Sequence, residues 1–250
     1  MITLKSSHEI ELMRRAGKIT AAARALAGEM VRPGVTTQEI NDAVEAFIRK
    51  QGAVPSFLGY SGYPASICAS VNDEVIHGIP GNRLLQDGDI VSVDVGAYIG
   101  GFHGDCAATF PCGNVSDEAL DLVRVTRESF FEGIRYAKEG CRVQDISAAI
   151  QQYVEARGYS IVREFVGHGI GTEMHEAPEV PNYGRSGRGP RLLRGMTLAI
   201  EPMVNAGDAA IHQLSDGWTI KTVDGKYAAH YENTVLITDG EPEILTAPAI

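Results

Sequence analysis

The stretch Leu85-Gln-Asp-Gly-Asp-Ile-Val-Ser-Val-Asp94 decides the fold, because its pattern returns as Leu192-Leu-Arg-Gly-Met-Thr-Leu-Ala-Ile-Glu201, 107 positions later. In both copies a glycine turn precedes a short apolar strand, and an acid ends the strand. A second pair of segments, Gly34–Gly52 and Gly140–Gly158, shares apolar positions at helical spacing with an offset of 106 residues. The helical match alone would also fit two unrelated glycine-bounded helices. Two ordered matches at nearly one offset predict an internal repeat, with halves at about residues 1–112 and 113–250.

Each half is predicted to contain two helices followed by strands. Capping boxes, glycines and prolines mark the helix ends. The predicted helices run from Ser6-x-x-Glu9 to just before Arg32, from about Thr37 to Lys50, from Ser116 to about Ala137, and from Val143 to about Ala156. Residues 59–112 and 161–248 are rich in glycine, β-branched residues and turn pairs, which is typical of strands and loops. Helices grouped apart from antiparallel strands indicate an α+β fold of two similar halves packed into one domain.

Acids occupy positions where a buried strand should carry apolar residues. If Ile99-Gly100 forms a tight turn, Asp94 lies directly opposite Asp105 on one face of a hairpin. Two carboxylates roughly 5 Å apart repel by roughly 3 kcal/mol at an effective dielectric constant near 20. Glu201 and Glu232 form a second such pair in the other half. The sequence therefore predicts a cation, most economically a metal ion, among these acids.

The composition restricts the class of protein. The 250 residues are 44% hydrophobic and carry a formal charge of −10, which argues against a nucleic-acid surface and is ordinary for a soluble globular chain. The four cysteines form no C-x-x-C pair, so neither a disulfide framework nor a zinc ribbon is predicted, and a reducing, cytoplasmic setting is expected. The sequence shows no signal-peptide core and no run long enough to span a membrane.

One imidazole complements the acids. His168 is flanked by glycines in Gly167-His-Gly-Ile-Gly171, a context that fits either a turn or a ligand that needs close backbone approach. With a neutral His168, the set of five has a charge of −4, which two divalent ions balance; the set is Asp94, Asp105, His168, Glu201 and Glu232. Oxygen-rich donors with one nitrogen suit manganese, iron(II) or cobalt better than a structural zinc. Two such ions can activate a water, so hydrolysis is the predicted chemistry. His103, two residues before Asp105, is predicted to be a supporting partner or a surface residue.

The order and context of these five residues resemble those of the type I methionine aminopeptidases of peptidase family M24. The motifs that carry the resemblance are Asp-Val-Gly, Gly-Phe-His-Gly-Asp, Gly-His-Gly-Ile-Gly, Ala-Ile-Glu-Pro and His77-Gly-Ile-Pro80, and the similarity extends from the first helix to Glu232. It implies the pita-bread (creatinase/aminopeptidase) fold, with two pseudo-symmetric halves, antiparallel sheets and outer helices. It also implies a single catalytic domain over residues 1–250.

The resemblance also implies residue roles. Asp105 and Glu232 would bridge two metal ions, Asp94 would hold one of them, and His168 and Glu201 would complete the other. Glu201 would shuttle protons, His175 would donate a hydrogen bond to the scissile carbonyl, and His77 would contact the nitrogen after the cleaved bond. The methionine pocket would be lined by Phe57, Tyr60, Tyr63, Cys68, His77, Met174 and Trp218. Met174 and Phe57 depart from residues common in the family, and Tyr60, Tyr63 and Cys68 would without the resemblance be interpreted as core packing.

The implied activity is removal of the initiator methionine from nascent proteins, preferentially when the second residue is small. The implied cofactors are two divalent ions, drawn from cobalt, manganese, iron(II), zinc and nickel. A cytoplasmic monomer is expected, which meets nascent N-termini and transiently the ribosome, without direct contact with nucleic acid or membrane.

Other interpretations fit parts of the sequence. Prolidase-like dipeptidases share the five ligands but normally carry an additional N-terminal domain. Non-catalytic relatives of the same fold bind proteins or nucleic acid, and they typically lose ligands that are all present here. Gly167-x-Gly-x-Gly171 lacks the spacing of a dinucleotide fingerprint, and neither G-x-S-x-G nor H-E-x-x-H occurs.

Overall fold

The helices begin where their capping residues place them. In the computed structural model, which describes residues 2–247, they are α1 (Ser7–Met30), α2 (Thr37–Lys50), α3 (Asp117–Ile134) and α4 (Val143–Glu155). The side chains of Ser6 and Thr36 cap α1 and α2, and both capping boxes are complete. The predicted bounds are confirmed except that α3 ends three residues before Ala137, whose N–H instead donates to Ile134 in a turn. Met1 and residues 248–250, which the predicted domain and strand ranges include, lie outside the described residues.

The strands lie in two regions, between residues 54 and 111 and between residues 160 and 244, which agrees with the predicted ranges except that the first strand begins before residue 59. In chain order they are β1 (Val54–Pro55), β2 (Ile67–Val71), β3 (Glu74–Ile76), β4 (Ile90–Ile99), β5 (Phe102–Pro111), β6 (Ser160–Ile161), β7 (Gly167–Gly169), β8 (Glu176–Val180), β9 (Thr197–Ile200), β10 (Met203–Asn205), β11 (Ile211–Gln213), β12 (Ile220–Thr222), β13 (Ala228–His230), β14 (Asn233–Leu236) and β15 (Glu243–Ile244). A short 3-10 turn covers Tyr60–Gly62.

Two antiparallel sheets form the centre of the molecule. In the first, β4 pairs with β5 along one edge and with β1 and β2 along the other. The second has the order β15-β14-β9-β7-β8. Two smaller sheets, β13-β10-β6 and β11-β12-β3, contact each other through β3, and β13 also contacts β4 and β5 of the first sheet. Every ladder within residues 2–247 is antiparallel, so the predicted α+β class is confirmed.

Each half has its own apolar core beneath its helices. Ile40 and Val44 of α2 are fully buried with Val91 and Val93 of β4. In the other half, the corresponding core is built by α3 and α4 against β9 and β14, with Ile146, Ile150, Leu198 and Val235 fully buried. Each such side chain contributes about 1.5–3 kcal/mol when it leaves water. In each half the helices therefore bury one face against the strands.

The hairpin register differs from the prediction by two residues. Its turn is Gly100-Gly101, with φ of 63° and 90°, rather than Ile99-Gly100. Two-residue turns that match strand twist need positive φ at the first central position, and the type I′ turn needs it at both; glycine adopts it readily and β-branched isoleucine does not. Asp94 therefore pairs with Ala107, not with Asp105. Because the shift is an even number of residues, both acids still lie on one face.

A seam joins the two halves along β5 and residues 230–234. Ala107 and Glu232 exchange two backbone hydrogen bonds, of 3.3 and 3.0 Å. On one side of this pair, Thr234 Oγ1 accepts from Asp105 N–H at 3.0 Å and donates to Asp105 O at 2.9 Å. Asp105 and Glu232 thus stand at alternate positions of one antiparallel pairing, so their side chains share a face. The seam brings acids from both halves to one place.

Candidate active site

The four acids converge from the ends and middles of the central strands. Asp94 lies within β4 and Asp105 within β5, whereas Glu201 directly follows β9 and Glu232 directly precedes β14. Asp105 and Glu232 are 3% and 2% exposed, while Asp94 and Glu201 are partly open to a cavity. This is the convergence that the repeat predicts.

His168 completes the cluster from the neighbouring strand β7. Its Nδ1 donates to Gly169 O at 2.8 Å, since a carbonyl can only accept, and this leaves Nε2 with a free lone pair. Nε2 lies 3.6 Å from Glu201 Oε1 and 3.9 Å from Asp105 Oδ2. The flanking glycine at 167 is required by packing, because a Cβ there would lie 2.4 Å from Ala199 O. The glycines therefore let β7 approach its neighbours and aim His168 at the acids.

The acid cluster is electrostatically incomplete. Burial raises the pKa of Asp94 to about 7, although a hydrogen bond with Asp105 opposes the rise. Burial, followed by Glu232 and Asp94, raises the pKa of Asp105 well above its usual range. Burial and the neighbouring acids likewise raise the pKa of Glu201 and of Glu232. Such shifts mean that the charged forms lack a compensating cation.

Unpaired polar atoms confirm that a cation fits here. Asp94 Oδ1, Asp105 Oδ1 and Glu232 Oε1 are buried without a hydrogen-bond partner in the described chain. Within residues 2–247, two sets of donor atoms each lie within 4.8 Å of one another: Asp105, His168 and Glu232, and Glu201, His230 and Glu232. Buried carboxylates with one or two imidazoles are a donor set that divalent metals accept. The residues present therefore suit a metal centre.

The prediction missed His230. This residue is 2% exposed, and its Nε2 lies 3.8 Å from Glu201 Oε2 and 3.8 Å from Glu232 Oε2 without a hydrogen-bond partner. Burial lowers its pKa to about 3, which keeps the ring neutral. The signal was its spacing, because a residue two positions before Glu232 faces the same way in an extended chain. Ser61, which also lines the cavity, carried no such signal.

A cavity of about 180 Å³ opens beside the acids. Its volume suits one medium-sized side chain, since an engineered protein cavity of about 150 Å³ holds benzene. All the residues predicted for the metal site and the pocket line it: Phe57, Tyr60, Tyr63, Cys68, His77, Asp94, Asp105, His168, Met174, His175, Glu201, Trp218 and Glu232. The structure thus brings the two predicted groups together in one cavity.

The apolar wall of the cavity is a packed cluster. Phe57, Tyr63, Cys68 and Met174 are buried against one another, and Trp218 packs against them. The Tyr63 ring meets Trp218 edge to face, with centroids 5.1 Å apart. The Tyr63 hydroxyl lies 3.0 Å from both Ile67 O and Gly78 O, which anchors the ring to β2 and the adjoining loop. Polarizable and aromatic groups of this kind suit an unbranched thioether.

Of three further predicted histidines, two line the cavity and one does not. His77 has φ of +59°, packs edge-on against Phe165, and has its pKa lowered to about 4 by burial and by His175. The ring of His175 lies 4.1 Å from that of His168, and burial lowers its pKa. His103 is not a lining residue; its Nδ1 lies 2.9 Å from Ser56 Oγ, so it supports the loop beside β1. Of these, His77 and His175 can reach a bound molecule.

The helices of the described chain, residues 2–247, are all too short or too polar to cross a membrane.

Comparisons with known proteins find relatives along almost the whole chain. The profile of metallopeptidase family M24 matches residues 11–239. A methionine aminopeptidase of Clostridium perfringens is 59% identical over 98% of this chain and 99% of its own length. Methionine aminopeptidase 1 of Bacillus subtilis is 52% identical over 98% of this chain and 99% of its own length.

Solved structures give the same result for the fold. The methionine aminopeptidase of Thermotoga maritima superposes with a TM-score of 0.97 and 46% identity, covering 98% of this chain and 99% of that one. A prolidase of Pyrococcus furiosus, 22% identical, shares the fold with a TM-score of 0.80 over 99% of this chain and 66% of its own. The predicted pita-bread fold is confirmed. This chain belongs to metallopeptidase family M24 and, within that family, to the bacterial type I methionine aminopeptidases.

Proposed function

We propose that this chain, a metalloexopeptidase, removes the N-terminal methionine from nascent proteins and prefers substrates whose second residue is small. The observation that carries the proposal is the shared cavity, in which an apolar slot of the size of one side chain lies directly against an unsatisfied cluster of acids. An apolar slot selects the side chain, and the adjacent charged cluster is where the chemistry takes place. We further propose that residues 1–250 act as one catalytic domain.

The proposed cofactor is a pair of divalent ions, whose identity among cobalt, manganese, iron(II), zinc and nickel the donor set does not select. Asp105 and Glu232 would hold both ions, Asp94 one of them, and His168 and Glu201 the other. Divalent ions at such a site supply Lewis acidity and lower the pKa of nearby water. The −4 charge of the five residues matches two ions, and His230 stands next to the set.

The remaining steps belong to side chains. Glu201 would take a proton from the attacking water and deliver it to the departing amine as the C–O bond forms and the C–N bond breaks. His175 would donate a hydrogen bond to the scissile carbonyl oxygen as negative charge develops there. His77 would contact the nitrogen of the second substrate residue. Because these rings stand at the cavity rim, a bulky second side chain would collide with them, which explains the proposed preference.

The proposed setting is the cytoplasm. The enzyme would act there as a monomer on emerging N-termini and contact the ribosome transiently, with no direct role for nucleic acid or membrane. The acidic net charge of −10 supports the absence of a direct nucleic-acid surface.

A peptide assay tests the proposal. Protein stripped with a chelator is reloaded separately with each of the five metals, and release of the first residue is measured from Met-Ala-Ser, Met-Leu-Ser and Ala-Pro. We expect rapid release from Met-Ala-Ser, slower release from Met-Leu-Ser, and two metal equivalents at full activity. A preference for Ala-Pro would instead indicate a prolidase-like dipeptidase and overturn the proposal. In a Trp218→Leu variant, KM for Met-Ala-Ser should rise about tenfold with a smaller change in kcat, since a wall of the slot is lost.

A further inference from the structure

A strained loop carries Tyr60 to the rim of the cavity. Gly59, Ser61 and Gly62 have φ of 82°, 48° and 88°, and Gly59 N–H closes the loop by donating to Tyr63 O at 2.8 Å. Ser61 is one of few non-glycine residues here with positive φ, a conformation that persists only where the surroundings impose it. The loop therefore fixes the direction of the Tyr60 side chain, although the residue is 40% exposed.

The Tyr60 hydroxyl contacts one nitrogen of His175. Its oxygen lies 2.7 Å from His175 Nδ1, and the two rings are 5.2 Å apart with a tilt of 31°. Within residues 2–247, no protein group forms a hydrogen bond with the other nitrogen, Nε2. His175 is an exposed residue that lines the cavity, so Nε2 can meet a molecule bound there.

The Nδ1 atoms of the two adjacent histidines, His168 and His175, have partners of opposite kinds. Nδ1 of His168 faces Gly169 O, which can only accept, so His168 carries its proton on Nδ1 and presents a lone pair at Nε2. Nδ1 of His175 faces a phenol, which can donate. An imidazole lone pair is a stronger acceptor than a phenol oxygen, whose lone pair is delocalised into its ring. The phenol proton therefore points at Nδ1, and the ring proton of His175 is on Nε2.

We propose that Tyr60 is a positioning residue, whose hydroxyl holds His175 in the tautomer that presents Nε2–H to the cavity. The inference rests on the proposed function, in which His175 donates to the scissile carbonyl. Without the hydroxyl, the ring can rotate and exchange tautomers, and a fraction of molecules would present a lone pair to the carbonyl oxygen, which repels it. Tyr60 thus has a second role beyond forming the pocket wall.

The test is a Tyr60→Phe variant, which keeps the ring and removes only the hydroxyl. In metal-free protein, nitrogen-15 NMR of labelled histidine should show His175 protonated on Nε2 in the parent and distributed between both nitrogens in the variant. In metal-loaded protein, kcat for Met-Ala-Ser should fall about tenfold while KM changes less than about twofold. An unchanged tautomer, or a rise in KM at constant kcat, would overturn the inference and leave Tyr60 as a wall residue.

Two controls isolate the hydroxyl. Tyr98→Phe removes another partly exposed phenol outside the cavity and should change neither signal. In a His175→Ala background, Tyr60→Phe should cause no further loss of kcat, because the group on which it acts is missing. A further loss of the full tenfold would contradict the coupling. If the parent releases no methionine with any metal, the proposed function fails, whereas the NMR comparison still decides whether Tyr60 sets the tautomer.

Discussion

The two halves share a scaffold and differ in what connects their acid-bearing strands. Gly34 N–H donates to Leu85 O at 2.8 Å, and the equivalent Gly140 N–H donates to Leu192 O at 3.1 Å. The return bonds also correspond, since Leu85 N–H donates to Val35 O and Leu192 N–H to Cys141 O. In each half, the same pair of backbone hydrogen bonds therefore joins the segment before the second helix to the loop before β4 or β9.

The connections after those strands are unlike each other. In the first half, β4 and β5 run ten residues each and meet at a two-residue glycine turn, so Asp94 and Asp105 lie within a continuous ladder. In the second half, the chain between Glu201 and Glu232 forms β10 to β13 and supplies Trp218 and His230. The strands common to both halves carry the acids. The segment between Glu201 and Glu232, which has no counterpart in the first half, adds Trp218 to the cavity wall and His230 beside the acids.

The largest expected effect tests whether the halves act as one site. Asp105→Ala and Glu232→Ala should each lower methionine release by at least about a thousandfold and lower the content of both metals, because each residue is proposed to hold both ions. The measurements are steady-state rates and metal analysis after dialysis. Glu118→Ala removes an exposed acid without an ion pair in the described chain and should change neither. Retention of one full metal equivalent and substantial activity in either variant would show that the halves bind separately.

A smaller effect concerns the stability of the protein at Asp94 and Glu201, which occupy equivalent positions in the two halves. It should separate the cost of burying their charge from the gain of binding a metal ion. Burial raises the pKa of Asp94 to about 7, so metal-free folded protein keeps a proton between about pH 4 and pH 7 that the unfolded chain has released. The contribution of Asp94 to the free energy of unfolding therefore falls as pH rises through this window. His168 and His230, with pKa of about 3, act in the opposite direction up to about pH 6.5.

An Asp94→Asn variant separates these terms, since the histidines are common to both proteins. Without metal, the variant should become progressively more stable than the parent between pH 4 and pH 7 in urea unfolding. With saturating metal at pH 7 the order should reverse, because the variant has lost a ligand. Glu201→Gln, at the equivalent position of the second half, should behave in the same way. A variant that is less stable than the parent in both states would mean that Asp94 has a packing role and not an electrostatic one.

Local signals allowed much of the fold to be predicted. The capping boxes at Ser6 and Thr36 gave helix starts that the structure reproduces. The repeat predicted an acid at the end of each strand, which is correct for Glu201 after β9 and wrong for Asp94, because β4 continues to Ile99 and pairs with β5 along its whole length. The turn was misplaced because Ile99-Gly100 and Gly100-Gly101 differ only in whether both residues tolerate positive φ, a condition that gives glycine priority.

Other features depend on contacts that no local pattern encodes. The Thr234 hydroxyl forms hydrogen bonds with the backbone of Asp105, 129 positions away in the chain. The Tyr60 hydroxyl forms one with His175, 115 positions away. A single threonine or tyrosine in a strand or loop has no spacing that reveals such a partner. The five proposed metal ligands could be recognised as a group because they share one chemistry, whereas the residues that support them are chemically ordinary until the chain is folded.

The smallest expected effect concerns the N-terminal caps of α2 and α4, the second helix of each half. Thr36 Oγ1 accepts from Glu39 N–H at 3.1 Å, whereas Arg142, at the equivalent position before α4, has no acceptor in its side chain. At the start of α4, Asp145 accepts from Arg142 N–H at 2.7 Å and from Gly187 N–H at 2.7 Å. The N-terminus of α4 is therefore stabilised by the third residue of the helix. Thr36→Ala should therefore cost about 1 kcal/mol of the free energy of unfolding, and Thr36→Ser should restore most of it.

Arg142→Ala should cost less than Thr36→Ala. It removes only a partly exposed bond from Nη1 to Gly189 O, at 2.7 Å, and leaves the Asp145 contacts intact. Urea unfolding of the metal-loaded proteins at one pH gives the comparison, provided that the slopes agree, since a changed slope would report a changed unfolded state. Equal losses of the free energy of unfolding in the two variants would contradict this ranking. They would mean that the hydrogen bond to Gly189 stabilises the start of α4 as much as the threonine cap stabilises the start of α2.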